Sequence, residues 1–139
     1  MKQDDLIVPE VSEPIFIGSG ALPAGEISPK VVEKSWGREI IYANDERYCC
    51  KVLHIDAAKG TSLHFHIDKH ETMLVIDGNL LIEYIHNKVL LSKVLEPAQA
   101  FVIPPGLPHK LSSASEEESV TFVETSTISF DTDSIRIGQ

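Results

Sequence analysis

From Glu39 onward the chain is a succession of short apolar or alternating runs, each closed by residues that form turns. No window longer than about ten residues carries a 3.6-residue apolar period, which argues against a helical fold. The turn formers stand at Asn44-Asp45, Asp77-Gly78-Asn79, Asn87, Pro97 and Pro104-Pro105-Gly106. The runs predict strands over residues 38–43, 47–56, 61–66, 71–77, 80–86, 89–95, 100–103, 108–112, 119–126 and 134–137. Many short strands with few helices predict an all-β sandwich or barrel.

The length of 139 residues is that of one ordinary domain with a single core. Residues 1–33 contain four of the eight prolines and several glycines, so they cannot sustain a helix. We predict an extended N-terminal arm over residues 1–33, with a short edge strand near residues 15–17, and a barrel over residues 34–139.

The formal net charge of −9 disfavours nucleic acid and anionic lipid surfaces as partners. A small anion such as a sugar phosphate is still allowed, because two or three local Lys or Arg side chains can bind it. No apolar run approaches the roughly 18 residues of a membrane span, and Asp4 and Asp5 occupy the place of the basic residues of a signal peptide. The expected location is the cytoplasm, where the adjacent Cys49 and Cys50 would stay reduced.

Three of the six histidines fall in the stretch TSLHFHIDKHETMLVIDG. Residues two apart in a strand share a face, so His64 and His66 present their imidazoles to one side, about 6.6 Å apart along the chain. Residues 67–70 can form a turn, after which Glu71 opens an antiparallel strand and returns beside them. His109 follows the turn Pro104 to Pro108, whose restricted backbone would aim one side chain into the barrel. Three imidazoles and a carboxylate suit Fe, Mn, Zn, Ni or Co, with one or two positions left for water or substrate.

The spacing of these residues resembles the cupin superfamily. His64-x-His66, Glu71 and Gly78 match the first cupin motif, and Pro104-x-Gly106-x-x-His109 matches the core of the second. The resemblance covers roughly residues 36–125 and implies a double-stranded β-helix, or jelly-roll barrel, with a divalent metal on His64, His66, Glu71 and His109. Three positions depart from the motifs: Ala58 and Ala98 stand at glycines and Ser113 at an asparagine, which affects the turns more than the ligand set.

A looser resemblance is to the mannose-6-phosphate isomerase branch of cupins. It is carried by Trp36-Gly37, Ser62-Leu63-x-x-His66, Glu71, Ile103-Pro104-x-Gly106-x-x-His109 and Asp133-Ser134-Ile135-Arg136. It implies an isomerase-like activity on a small sugar or sugar phosphate. That branch usually has a glutamine at the position of His64 and a histidine at that of Thr72.

In an isomerase the metal would act as a Lewis acid on the sugar oxygens while a base moves a proton between C1 and C2. Candidates for the base are a metal-bound hydroxide or an inward side chain such as Lys51 or His54. Lys59, Lys110 and Arg136 could hold a phosphate. Two alternatives remain open: an iron-dependent dioxygenase of a small metabolite, and a non-catalytic sugar- or metabolite-binding module. A homodimer is expected, because the arm and the strand edges offer pairing surfaces.

Overall fold

The computed structural model of the chain describes residues 24–138, and these form eleven strands and one short 3-10 helix, Asp131–Asp133. The strands are β1 Lys30–Lys34, β2 Gly37–Asn44, β3 Cys49–Ile55, β4 His64–Phe65, β5 Glu71–Asp77, β6 Leu80–His86, β7 Val89–Leu95, β8 Ala100–Ile103, β9 His109–Ser113, β10 Val120–Ser126 and β11 Ile135–Arg136. The all-β prediction is therefore confirmed. None of the described residues belongs to a helix long and apolar enough to cross a membrane.

The strands form two antiparallel sheets whose order differs from the order along the chain. One sheet has the order β1-β2-β3-β10-β5-β8, and the other has the order β11-β4-β9-β6-β7. Successive strands therefore cross between the sheets, as from β5 to β6, and late strands pair with early ones, as β10 does with β3. This is the jelly-roll arrangement that the family resemblance implied.

Two segments differ from the predicted strands. β4 spans only His64–Phe65 where the alternation predicts residues 61–66, because the preceding chain leaves regular pairing for single contacts such as the Gly60 to Ser112 bridge. β1 covers Lys30–Lys34 and pairs with β2, so it joins the sheet across the expected boundary at residue 33. The edge strand predicted near residues 15–17 lies outside the described residues.

The inward faces of the strands divide into an apolar part and a polar part. In β10, Val120 and Phe122 are buried in the apolar core, while Glu124 and Ser126 continue the same face with polar groups. The same change occurs along β3 between Leu53 and Lys51, which pairs with Glu124. Because side chains two apart share a face, period-two alternation places the charged residues inside one end of the barrel. The other end is filled by apolar side chains, among them Ile55, Met73, Val75, Leu80, Ile82 and Phe122.

Candidate metal centre

Sheet pairing brings three imidazoles together at the polar end of the barrel. His64 in β4 lies directly opposite His109 in β9, and His66 follows at the end of β4. One ring nitrogen from each of the three lies within 4.8 Å of the other two, and the ring centroids are 4.3 to 5.5 Å apart. The cluster joins residues from both predicted motifs, so the contact between the motifs is a tertiary one.

Backbone carbonyl groups determine which nitrogen of each ring faces the centre. The Nδ1 atoms of His64 and His66 lie 2.7 Å from the carbonyl oxygens of Ser62 and Asp133, and that of His109 lies 2.9 Å from the carbonyl oxygen of Leu107. A carbonyl oxygen can only accept, so each Nδ1 must donate. In a neutral ring the Nε2 atom then keeps its lone pair, which is the form that ligates metals.

Glu71 completes the cluster with a carboxylate. It is the first residue of β5 and only 1% exposed. Its Oε2 lies 3.2 Å from His66 Nε2, and its Oε1 lies 3.8 Å from His109 Nε2. Within residues 24–138, neither Glu71 Oε2 nor His109 Nε2 has a hydrogen-bond partner. Buried polar atoms without a hydrogen-bond partner are destabilising, and a bound cation would give both atoms a partner.

Burial keeps the three imidazoles neutral. Burial first, and then the positive charge of Lys69, lowers the pKa of His66 to about 4. Burial and the neighbouring His64 ring lower the pKa of His109 to about 3, and burial lowers the pKa of His64 as well. All three rings are therefore neutral at neutral pH, with their one proton on Nδ1, and need lose no proton to bind a metal through Nε2.

A buried ion pair beside the cluster was missed by the sequence reasoning. Lys69 Nζ lies 3.2 Å from Glu124 Oε2 and 3.4 Å from Glu71 Oε2, and all three residues are at most 6% exposed. One ammonium group thus balances one of two carboxylates. Burial opposes ionisation of Glu124, but Lys69 outweighs it and lowers the pKa of Glu124 to about 2. Burial, followed by the charge of Glu124, raises the pKa of Glu71 to about 8 against the opposing charge of Lys69, so Glu71 is the carboxylate that Lys69 compensates less.

Of the two missed residues, the sequence carried a signal for Glu124 and none for Lys69. Glu124 lies two and four residues from the apolar Phe122 and Val120, so strand alternation alone indicates an inward carboxylate. Lys69 falls in the turn predicted over residues 67–70, where a lysine is normally solvated. No local pattern predicts its burial.

Asp133 holds the turn that carries Lys69. Its carboxylate accepts hydrogen bonds from the backbone N–H groups of Ile67, Asp68 and Lys69 at 2.7 to 3.3 Å, and its carbonyl oxygen accepts from His66. The 3-10 helix near the C-terminal end of the chain therefore orients an imidazole of the cluster from 67 residues away.

The cluster opens into a cavity of about 610 Å³. Of the two candidates for a base, Lys51 lines this cavity, whereas His54 lies on the outward face of β3 and contacts Thr121 Oγ1 at 2.9 Å. Of the three candidates for binding phosphate, only Arg136 lines it; Lys59 and Lys110 do not. His70 and His86, which were not assigned to the site, are exposed.

A family model described as cupin matches residues 52–136, which is more than half of the chain. No match is found among curated proteins. The matched segment includes His64, His66, Glu71 and His109.

Solved structures of similar fold exist at low sequence identity. The capsular polysaccharide assembling protein CapF from Staphylococcus aureus is 16% identical with a TM-score of 0.71, over 82% of this chain and 35% of that one. A mutant of the oxalate decarboxylase OxdC from Bacillus subtilis is 14% identical with a TM-score of 0.67, over 78% of this chain and 30% of that one. An oxalate oxidase is 21% identical with a TM-score of 0.54, over 58% of this chain and 42% of that one. The chain thus spans about a third of the length of the first of these proteins, and the likeness concerns the fold.

Proposed function

The chain belongs to the cupin family, and from that premise we propose that it binds one divalent transition-metal ion and acts on a small sugar or sugar phosphate as an isomerase-like enzyme. The proposed ligands are His64, His66, Glu71 and His109. One observation carries the metal site: three Nε2 lone pairs, each oriented by a backbone carbonyl group, converge with the buried carboxylate of Glu71, whose Oε2 has no hydrogen-bond partner among the described residues. Three nitrogen donors and one oxygen donor suit Zn, Fe, Mn, Ni or Co.

The lining of the cavity supports a polar substrate. The hydroxyl-bearing residues Thr61, Ser62, Ser129 and Ser134 line it together with charged residues. Such groups can bind the hydroxyl groups of a sugar, and they would leave an apolar ligand with unpaired polar partners.

We place the proton transfer on Lys51. Its ammonium group lies 3.6 Å from Glu39 Oε1 and 3.4 Å from Ser129 Oγ, and both partners line the same cavity. In an aldose–ketose isomerisation the base removes a proton from one carbon and returns it to the neighbouring carbon. For this, Lys51 first passes one proton to Glu39, the neutral amine takes and returns the substrate proton, and Glu39 then gives its proton back, so both groups end the cycle unchanged. The metal, when bound, supplies Lewis-acid polarisation of the sugar oxygens.

The metal site is tested by elemental analysis after incubation with Fe, Mn, Ni, Co and Zn salts and removal of the excess. About one ion per chain is expected in the wild type and none in His66→Ala. His86→Ala is the matched control, because it removes an exposed imidazole and should keep the ion. Equal metal content in the wild type and in His66→Ala would exclude the assigned ligand set.

The activity is tested by the interconversion of mannose 6-phosphate and fructose 6-phosphate with the metal-loaded protein. Lys51→Met should lower kcat at least about 100-fold with unchanged metal content, whereas Lys59→Met, outside the cavity, should not. Oxygen uptake with thiols or diols and no isomerisation would instead indicate a dioxygenase. Ligand binding without either reaction would indicate a binding module.

A further inference from the structure

A row of three residues crosses the second sheet in register. Arg136 in β11 lies directly opposite His64 in β4, and His64 lies directly opposite His109 in β9. Residues directly opposite in an antiparallel pair leave the sheet on the same face, with Cβ atoms about 4.5–5.5 Å apart. Arg136 therefore stands beside the first imidazole of the cluster and faces the same cavity, which it lines.

Arg136 differs from the other cations of the cavity in having no carboxylate partner. Lys51 and Lys34 contact Glu39, and Lys69 contacts Glu71 and Glu124. Within the described part of the chain, no carboxylate lies within 4.0 Å of the Arg136 guanidinium, and the residue is exposed. A cation that is already paired has little charge to offer a ligand, so Arg136 is the cavity cation best placed to bind an anion.

We propose that Arg136 binds a carboxylate or phosphate group of the substrate, while other oxygen atoms of the same molecule reach the imidazole cluster. The inference rests on the proposed function and narrows it to small anionic substrates. The planar guanidinium group offers two parallel N–H donors to a carboxylate or phosphate, so it determines the orientation of the ligand as well as its affinity. The net charge of −9 does not prevent this, because the contact is local.

The test compares ligands that differ only in one anionic group. Calorimetric titration is done with mannose 6-phosphate against mannose and with glycolate against ethylene glycol, on metal-loaded and metal-free protein. The anionic member of at least one pair should bind about tenfold tighter or more, and Arg136→Gln should remove that advantage without changing the metal content. Arg136→Lys should keep part of it. Lys59→Gln, which removes an exposed charge outside the cavity, should keep all of it.

Each outcome decides the proposal. An advantage for the phosphate pair or for the carboxylate pair that Arg136→Gln removes supports the proposal and identifies the group. It is overturned if neither pair shows an advantage, or if the advantage persists in Arg136→Gln. A protein that takes up no metal would refute the proposed metal site, whereas the metal-free titrations would still decide the role of Arg136.

Discussion

Lys69 and Glu124 form a buried ion pair beside the proposed metal centre, and removing one partner should destabilise the protein. The pair is buried, and Lys69 is also the nearest cation to Glu71. Lys69→Met removes the ammonium group that lies beside two buried carboxylates. Removing one partner of a buried ion pair typically costs about 3–5 kcal/mol. We expect a loss of this order in the free energy of unfolding of the metal-free protein, measured by urea denaturation.

The double variant is the control for this prediction. Lys69→Met/Glu124→Leu removes both charges of the pair and replaces them with apolar groups of similar size, so it should be more stable than Lys69→Met alone. If the single variant lay within about 0.5 kcal/mol of the wild type, the ion pair would have no structural role.

The ionisation of Asp45 should make the unfolding free energy depend on pH, with a sign that follows from the contacts of its carboxylate. Its carboxylate accepts from the guanidinium and backbone N–H of Arg47 and from the backbone N–H of Tyr48, and hydrogen bonding by Arg47 lowers the pKa of Asp45. A carboxyl group whose pKa is lower in the folded state than in the unfolded state stabilises the fold when it is ionised. This contribution is complete above the unfolded-state pKa of about 3.9, and it is lost as the pH falls through the lower folded-state pKa. The difference in unfolding free energy between wild type and Asp45→Asn should therefore be largest above about pH 5 and shrink below pH 4. A difference that is constant with pH would contradict this.

At the level of elements, two turns have an alanine at a position whose backbone conformation favours glycine. Ala58 and Ala98, which replace motif glycines, have φ angles of 62° and 72°. This left-handed backbone region costs an L-residue roughly 1–2 kcal/mol, and glycine avoids that cost. Glycine also increases the conformational entropy of the unfolded chain, which offsets the gain by up to about 1 kcal/mol. Ala58→Gly and Ala98→Gly should therefore raise the unfolding free energy, by up to about 1 kcal/mol each, in urea denaturation. Ala57→Gly is the matched control; its φ is not positive, so it should stabilise nothing.

On the scale of the whole molecule, the metal should act as a stabilising ligand. A ligand that binds only the folded state at about 100 times its dissociation constant adds about 2.7 kcal/mol. For a domain of this size we expect the unfolding temperature to rise by about 10 °C on addition of the metal that binds, as measured by calorimetry. His66→Ala should show no rise, and His86→Ala should behave as the wild type.

The homodimer expected from the sequence stays a prediction at the same scale. β1 and β8 are the outer strands of one sheet, and β11 and β7 are those of the other. β7 carries exposed apolar residues, among them Val89, Leu90 and Val94. Outer strands of this kind offer unpaired backbone groups and apolar area to a second copy. Light scattering should give about twice the 15.4 kDa of one chain, and a single-chain mass across the micromolar range would exclude the dimer.

The local pattern of the sequence was sufficient to predict the class of fold and to propose the four ligands, whose role as ligands stays a prediction. Strand alternation depends on neighbours two residues apart, and turns depend on the backbone preferences of single residues, so both can be recognised in the chain itself. His64, His66 and Glu71 follow from one hairpin, and His109 follows from its own turn. The structure then brings these four side chains together.

Only the tertiary structure determined which groups surround the four proposed ligands. Four features depend on which strands become neighbours. They are the burial of Lys69, the hydrogen bond from His66 to Asp133, the outward orientation of His54 and the position of Arg136 beside His64. β4 and β11 are separated by about 70 residues in the chain, yet they are adjacent in the sheet. No short-range preference specifies such a pairing, because it is selected by the free energy of closing the whole barrel around its core.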